Sequence, residues 1–155
     1  MSEERALAAL DAAGLEYRVV RHGRVRSLEE AAAARGIEPR ALLKSLVVRR
    51  AEDDFLFVLV PGDREISWPK LRALLGVNRV SMPDAATALA VTGYERGTIT
   101  PFGSTHAWPV IADSRLAGRT ITLGAGDHGL AVLLDADATL SLLDATLEDV
   151  TDPEP

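Results

Sequence analysis

No cysteine occurs in this 155-residue chain. Its absence excludes disulfides and thiolate metal ligands and makes a reducing compartment the default. Long apolar runs are also missing, so no segment has the uninterrupted length a bilayer-spanning helix needs. The opening Met1-Ser2-Glu3-Glu4 is acidic where a secretory leader would be positive, and the apolar positions after it are spaced rather than gathered. A cytoplasmic protein without membrane partners is expected. Surplus positive charge is lacking too: the formal net charge is −6. Proteins that neutralise many phosphates along a duplex are basic. A broad DNA-type footprint is therefore excluded, whereas a grip on one end of a nucleic acid through a few cations is not.

Several catalytic templates are missing. There is no G-x-S-x-G, so no nucleophile elbow, and no G-x-x-x-x-G-K, so no Walker-type phosphate loop. His22, His106 and His128 are far apart in sequence and form no H-x-x-x-H pair, so no metal site is written in the spacing. Gly124-Ala125-Gly126-Asp127-His128-Gly129 matches G-x-G-x-x-G literally. The dinucleotide-binding form of that motif requires a helix after it. Here the apolar run Leu130-Ala131-Val132-Leu133-Leu134 follows and reads as a strand. A glycine-rich hairpin turn is expected instead, with Asp127 and His128 either projecting into a cleft or solvated. No cofactor is expected.

What is present is a 47% hydrophobic chain of one-domain length. Ser2 to Ala13 has the spacing of an amphipathic helix stopped by Gly14. Tyr17 to Arg21 reads as a strand. Ser27 and Glu30 have capping-box spacing for a helix ending at Arg35. Pro39 starts a short turn. Leu46–Arg50 and Phe55–Val60, joined by Glu52-Asp53-Asp54, read as a hairpin closed by Pro61-Gly62-Asp63. Trp68–Leu75 and Pro83–Val91 read as helices, and Gly93 to Gly103 as a loop. Strands follow at Pro109–Ala112, Thr120–Leu123 and Leu130–Leu134, then a helix at Ala136–Asp144 and a last strand at Thr146–Val150. Residues 151–155 are expected to fray. The interspersed pattern predicts a mixed α/β (α+β) fold, with one central mixed sheet and helices packed around it, as a single domain over residues 1–150.

Two features carry chemistry. Fifteen of the seventeen cations are Arg, and Lys44 is a lysine set inside the apolar Leu42-Leu43-Lys44-Ser45-Leu46-Val47-Val48. It reads either as a strand-edge lysine with its ammonium in water or as a functional cation. The segment Gly93-Tyr94-Glu95-Arg96-Gly97-Thr98-Ile99-Thr100-Pro101-Phe102-Gly103 reads either as an ordinary loop or as a backbone nest for a carbonyl oxygen. Arg49, Arg50 and Arg96 are candidate auxiliary cations, or plain surface charge.

Taken in order, Lys44-Ser45-Leu46-Val47-Val48, Val60-Pro61-Gly62-Asp63, Lys70 to Gly76, Gly93-Tyr94, Gly97 to Gly103 and Pro109 to Asp113 resemble the YbaK/ProX family. These are free-standing relatives of the editing domain inserted in bacterial prolyl-tRNA synthetases. The resemblance covers residues 3–150. It implies that fold and an aminoacyl-tRNA deacylase acting on the acceptor end of mischarged tRNA, with proline tRNA the default and Ala, Cys, Ser or Thr the residue removed. A synthetase is a candidate partner. It also implies that Lys44 meets the phosphate end of the terminal adenosine and that the Gly97–Pro101 backbone holds the substrate carbonyl. Catalytic roles thus fall on Lys44, Gly97, Thr98 and Pro101. Binding roles fall on His22, Ser45, Ile99, Phe102, Gly103, Asp127 and His128. An aminoacyl ester is already reactive, so positioning, water and an oxyanion site are sufficient without a protein nucleophile. A non-catalytic module of the same fold that docks on tRNA or a synthetase, and a hydrolase of another activated ester or a nucleotide, are the competing readings.

Overall fold

The computed structural model of the chain describes residues 2–21, 23 and 28–155. His22 and Ser27, and with them the expected capping box, lie outside the described residues. In chain order the elements are α1 (Ser2–Ala13), β1 (Arg18–Arg21), α2 (Leu28–Arg35), β2 (Leu43–Ala51), β3 (Asp54–Pro61), β4 (Arg64–Ile66), α3 (Trp68–Leu75), α4 (Ala85–Thr92), β5 (Val110–Asp113), β6 (Thr120–Gly124), β7 (Leu130–Asp135), α5 (Ala136–Leu142), β8 (Thr146–Glu148) and β9 (Thr151–Pro153). Single 3-10 turns cover Pro39–Ala41 and Ser114–Leu116. Helix starts follow their chemistry. The Ser67 hydroxyl accepts from the Lys70 amide with Pro69 in the first turn of α3, and the Asp84 and Asp135 carboxylates cap α4 and α5.

The mixed α/β class holds, but the expected single central sheet is divided into three. One sheet has the order β2-β3-β5-β8, a second β1-β7-β6, and β4 pairs with β9. In the first sheet β2 and β3 form the expected antiparallel hairpin, while β3–β5 and β5–β8 run parallel. Among the described residues a bridge from Leu42 to Thr122 links the two larger sheets. The division follows from β3, whose residues from Phe55 to Pro61 are all buried, as a strand covered on both faces must be. Its alternate residues Phe55, Phe57 and Leu59 join a core with Ala6 and Leu10 of α1 and with Ile121, Leu123, Val132 and Leu134 of the second sheet. The intervening Leu56, Val58 and Val60 join a smaller core with Ile66, Leu71 of α3, and Val150.

The C-terminal segment differs from expectation. Residues 151–153 do not fray: as β9 they pair antiparallel with β4, Thr151 opposite Ile66 and Pro153 opposite Arg64. The cause is a buried polar hub. Asp113 is fully buried, and its carboxylate accepts from the Thr151 hydroxyl at 2.8 Å, the Arg115 amide at 3.0 Å and the Val150 amide at 3.3 Å. The Arg115 guanidinium adds bonds at 3.1 and 3.2 Å. Burial pushes this carboxyl up, but the hydrogen bonds from Thr151, Arg115 and Val150 outweigh it and hold it below the ordinary aspartate value. Neither β4 nor β9 was legible in hydropathy: Arg64-Glu65-Ile66 and Thr151-Asp152-Pro153 each carry at most one apolar strand-former.

Candidate functional site

Consecutive strand residues point to opposite faces, and this separates Lys44 from Ser45 on β2. Ser45 shares its face with Leu43 and Val47, which belong to the larger core; Lys44 shares its face with Leu46 and Val48, on the side of the smaller one. A cavity of about 250 Å³ opens at this point. Its walls are β2 from Leu43 to Val47, the turn at Gly97 and Ile99, Gly124 at the end of β6, Met82, Pro83 and Ala88 around the start of α4, and Arg35 at the end of α2. Lys44, Leu46 and Met82 also line an adjoining groove with Glu65, Ile66 and Trp68. Lys44 therefore stands on the boundary between cavity and groove. Its ammonium donates to the Arg64 carbonyl at 2.5 Å and to the Glu154 carboxylate at 2.8 Å.

The glycine-rich loop reaches the cavity only in part. Gly97 has φ +91°, a left-handed conformation that favours glycine. Gly97 and Ile99 line the cavity, and among the described residues no group accepts from either amide. Thr98 between them turns inward: it is buried, its hydroxyl donates to the Glu95 carbonyl at 2.7 Å, and its own carbonyl accepts from the Gly126 amide at 3.1 Å. That bond ties the loop to the late turn.

The remaining loop residues assigned to the site do not line this cavity. Pro101 faces a different depression, beside Trp108. Phe102 is buried in the larger core, and its carbonyl accepts from the Tyr94 hydroxyl at 2.6 Å. Gly103 is glycine for a structural reason, since a Cβ there would stand 2.6 Å from the Tyr94 hydroxyl and 2.7 Å from the Arg5 carbonyl. The physical cause is that the loop wraps around Tyr94, and its second half is drawn into the protein. Arg5 of α1 completes the clamp. It donates to the Gly103 carbonyl at 2.6 Å and the Gly93 carbonyl at 2.9 Å, and its guanidinium lies 4.5 Å from the centre of the Tyr94 ring. The sequence reading missed Arg5; its only signal was a cation on an otherwise apolar helix face, beside Ala6 and Leu10.

Asp127 and His128 part ways. The Asp127 carboxylate accepts from the Glu3 amide at 2.9 Å, at the N-terminus of α1, where an acid is favoured by the helix dipole. It is thus held by α1 and does not line the cavity. His128 is exposed, and its Nε2 lies 3.3 Å from a Glu95 carboxylate oxygen. Its ring also stands 3.6 Å from where a Cβ on Gly97 would be, so it overhangs the turn that lines the cavity. Of the assigned residues that the structure describes, it brings Lys44, Ser45, Gly97 and Ile99 together, with His128 at the rim. It adds Arg35, which the sequence reading did not single out, and Arg96, one of its candidate auxiliary cations.

Comparison with known proteins places the chain in a family. Residues 22–142 match the model of the aminoacyl-tRNA editing domain. The chain is 30% identical over 129 residues, 83% of its own length and 79% of the other, to the Enterococcus faecalis protein named "Putative Cys-tRNA(Pro)/Cys-tRNA(Cys) deacylase EbsC". It is 38% identical over 80 residues to the proline–tRNA ligase of Thermosipho africanus, a match that spans 52% of this chain and 14% of that enzyme. A solved structure described as "a putative trans-editing enzyme for prolyl tRNA synthetase" superposes with a TM-score of 0.88 at 24% identity, covering 97% of each chain. That likeness is one of fold.

Proposed function

The chain belongs to the aminoacyl-tRNA editing domain family, and we propose that it hydrolyses the ester of a mischarged tRNA in trans, proline tRNA carrying a small wrong residue being the first substrate to test. The observation that carries this reading is the juxtaposition of Lys44 with Gly97 and Ile99 around one small cavity. Lys44 would anchor a phosphate at the acceptor end, and the aminoacyl group would enter the cavity. The substrate phosphate would displace Glu154, which is itself an anion on the same ammonium.

The reaction needs little beyond placement. Water adds to the ester carbonyl carbon, negative charge builds on the carbonyl oxygen, and the tetrahedral adduct collapses with loss of the ribose oxygen, which takes up a proton. The amides of Gly97 and Ile99, held without other acceptors, are suited to receive that oxygen. Preorganised donors of this kind each typically contribute about 100- to 1,000-fold to the rate. The ribose hydroxyl next to the ester would position the water. His128 at the rim is a candidate to orient the amino group or the water, with Glu95 beside it.

The test is amino-acid release from charged tRNAs, compared with release from a charged acceptor-stem minihelix and from a simple aminoacyl ester. Turnover that requires the acceptor end supports the reading. Equal turnover of the simple ester would instead assign a general esterase. Binding of the stem without any release would assign a non-catalytic module.

A further inference from the structure

The turn after β6 is fastened on two sides. Gly126, at φ +97°, directs its amide to the Thr98 carbonyl, 3.1 Å away. Next to it, the Asp127 carboxylate accepts from the Glu3 amide of α1 at 2.9 Å. A short path of bonds therefore runs from α1 through Asp127 and Gly126 to Thr98, the residue between Gly97 and Ile99. The same helix holds both ends of the glycine-rich loop. Arg5 donates to the Gly93 and Gly103 carbonyls at 2.9 and 2.6 Å, around the buried Tyr94. Thus α1 grips the loop at its ends and, through the late turn, at its middle. It does so from outside residues 22–142, the segment that the family model matches.

Amides without an acceptor do not keep their place in a glycine-rich loop unaided. Such a loop samples many conformations, and most of them give its amides to water or to a nearby carbonyl. Gly97 and Ile99 line the cavity, and among the described residues nothing accepts from their amides. Thr98 between them is pinned by its amide and hydroxyl to the Glu95 carbonyl, at 2.9 and 2.7 Å, and by its carbonyl to Gly126. An oxyanion site works when its donors are in place before charge develops, and a misplacement of about 1 Å caused by a remote change can cost about 100-fold. Resting on the proposed deacylase reading, we propose that Asp127 and Arg5 are positioning residues, which join α1 to the loop and so keep the Gly97 and Ile99 amides preorganised. Neither residue lines the cavity. A direct hold of the Asp127 charge on the substrate α-ammonium is disfavoured, because that carboxylate is engaged by the Glu3 amide. What Asp127 supplies is an acceptor oxygen rather than a charge.

The experiment uses the full chain and reads two quantities on each variant: turnover of charged tRNA, and NMR relaxation of the backbone amides. In the wild type the Gly97 and Ile99 amides are expected near the rigid order parameter of about 0.85. Asp127→Ala should lower both towards about 0.6. It should also cut kcat by about tenfold or more, part of the roughly 100-fold worth of one oxyanion donor, with KM changed by less than about twofold. Asp127→Asn keeps the acceptor oxygen without the charge and should hold kcat within about threefold of wild type, since charge at a helix N-terminus adds only a small term. Arg5→Met keeps a stem over Tyr94 but cannot donate, and should act in the same direction as Asp127→Ala. Melting temperature checks folding, and Asp127→Ala, at a half-buried turn position, carries the test if Arg5→Met does not fold. Order parameters at Gly97 and Ile99 that do not move in Asp127→Ala would overturn the proposal. So would a loss in Asp127→Asn as deep as in Asp127→Ala, which would put the charge on the substrate, or a loss carried by KM alone. If the wild type hydrolyses no charged tRNA, the deacylase reading fails, and the relaxation data still decide whether α1 holds the turn.

Discussion

Two sets of buried polar atoms in this protein are treated in opposite ways. Asp113, beneath the C-terminal strands, accepts from the Thr151 hydroxyl, two backbone amides and a guanidinium. Arg35 and Ser45, two of the residues around the cavity, have buried polar atoms without a hydrogen-bond partner among the described residues. A satisfied buried carboxylate organises structure: it fixes Val150 and Thr151 and so draws β9 onto β4. The unpartnered atoms organise nothing of this kind: they hold no strand in place, and the Ser104 and Thr122 hydroxyls, which do not line the cavity, share that state. The difference shows which buried polar group holds the fold together, and burial alone does not show it.

The contrast is open to direct attack. The largest effect on turnover is expected from Lys44→Ala, a loss of about 100-fold or more in deacylation, since a charge-assisted contact to phosphate goes with it. The fold should survive, because the Lys44 ammonium is partly exposed and its partners can be rehydrated; circular dichroism and kinetics on the same sample check both halves. Gly97→Ala comes next. A side chain is strained at φ +91° by roughly 1–2 kcal/mol, and displacement of one oxyanion donor lowers kcat by about 100-fold. Asp113→Ala should reverse the pattern, costing about 2–3 kcal/mol of stability in urea unfolding while kcat per folded molecule changes little.

Acid should act on the satisfied region first. The Asp149 carboxyl is lowered to about 2 by hydrogen bonds from Arg115 and Lys70, and Asp113 is also lowered. A carboxyl depressed in the folded state gives stability that is fully present above its unfolded value, near 4, and is lost as pH falls through the folded one. Melting temperature should thus hold from pH 7 to about 4 and drop between pH 4 and 2, with Asp149→Asn flattening the drop. The smallest effect is expected from Glu154→Gln, which frees the Lys44 ammonium of a half-exposed ion pair. A rise in kcat/KM of less than about threefold is expected, in keeping with the small worth of exposed pairs.

Much of the fold was legible because local chemistry and burial agree. Ser67-Trp68-Pro69 starts α3, and the Val- and Phe-rich runs on either side of Asp53 form a hairpin. The alternation of Phe55, Phe57 and Leu59 with Leu56, Val58 and Val60 was hidden, since a strand buried on both faces has no polar face to reveal its period. For the same reason the split into separate sheets could not be read. β9 was missed because what holds it is a carboxylate 38 residues upstream, not its own hydropathy. At the site, Lys44 and Gly97 stood out by context. Thr98, Phe102 and Gly103 belong to the same motif but turn inward, Thr98 onto Glu95 and Gly126 and the other two around Tyr94 and Arg5, and no spacing rule shows which way a loop residue faces. Arg35 looked like an ordinary last-turn helix cation, and only the cavity beside it changes that reading.

The measurement that bears most directly on the central claim is amino-acid release from tRNAs charged with Ala, Cys, Ser, Thr and Pro, run with wild type and Lys44→Ala side by side. Rapid release from a mischarged tRNA, with correctly charged proline tRNA spared and the rate lost in Lys44→Ala, is the predicted result. Release that is unaffected by Lys44→Ala, or no release from any of the five while tRNA binding persists, would contradict it.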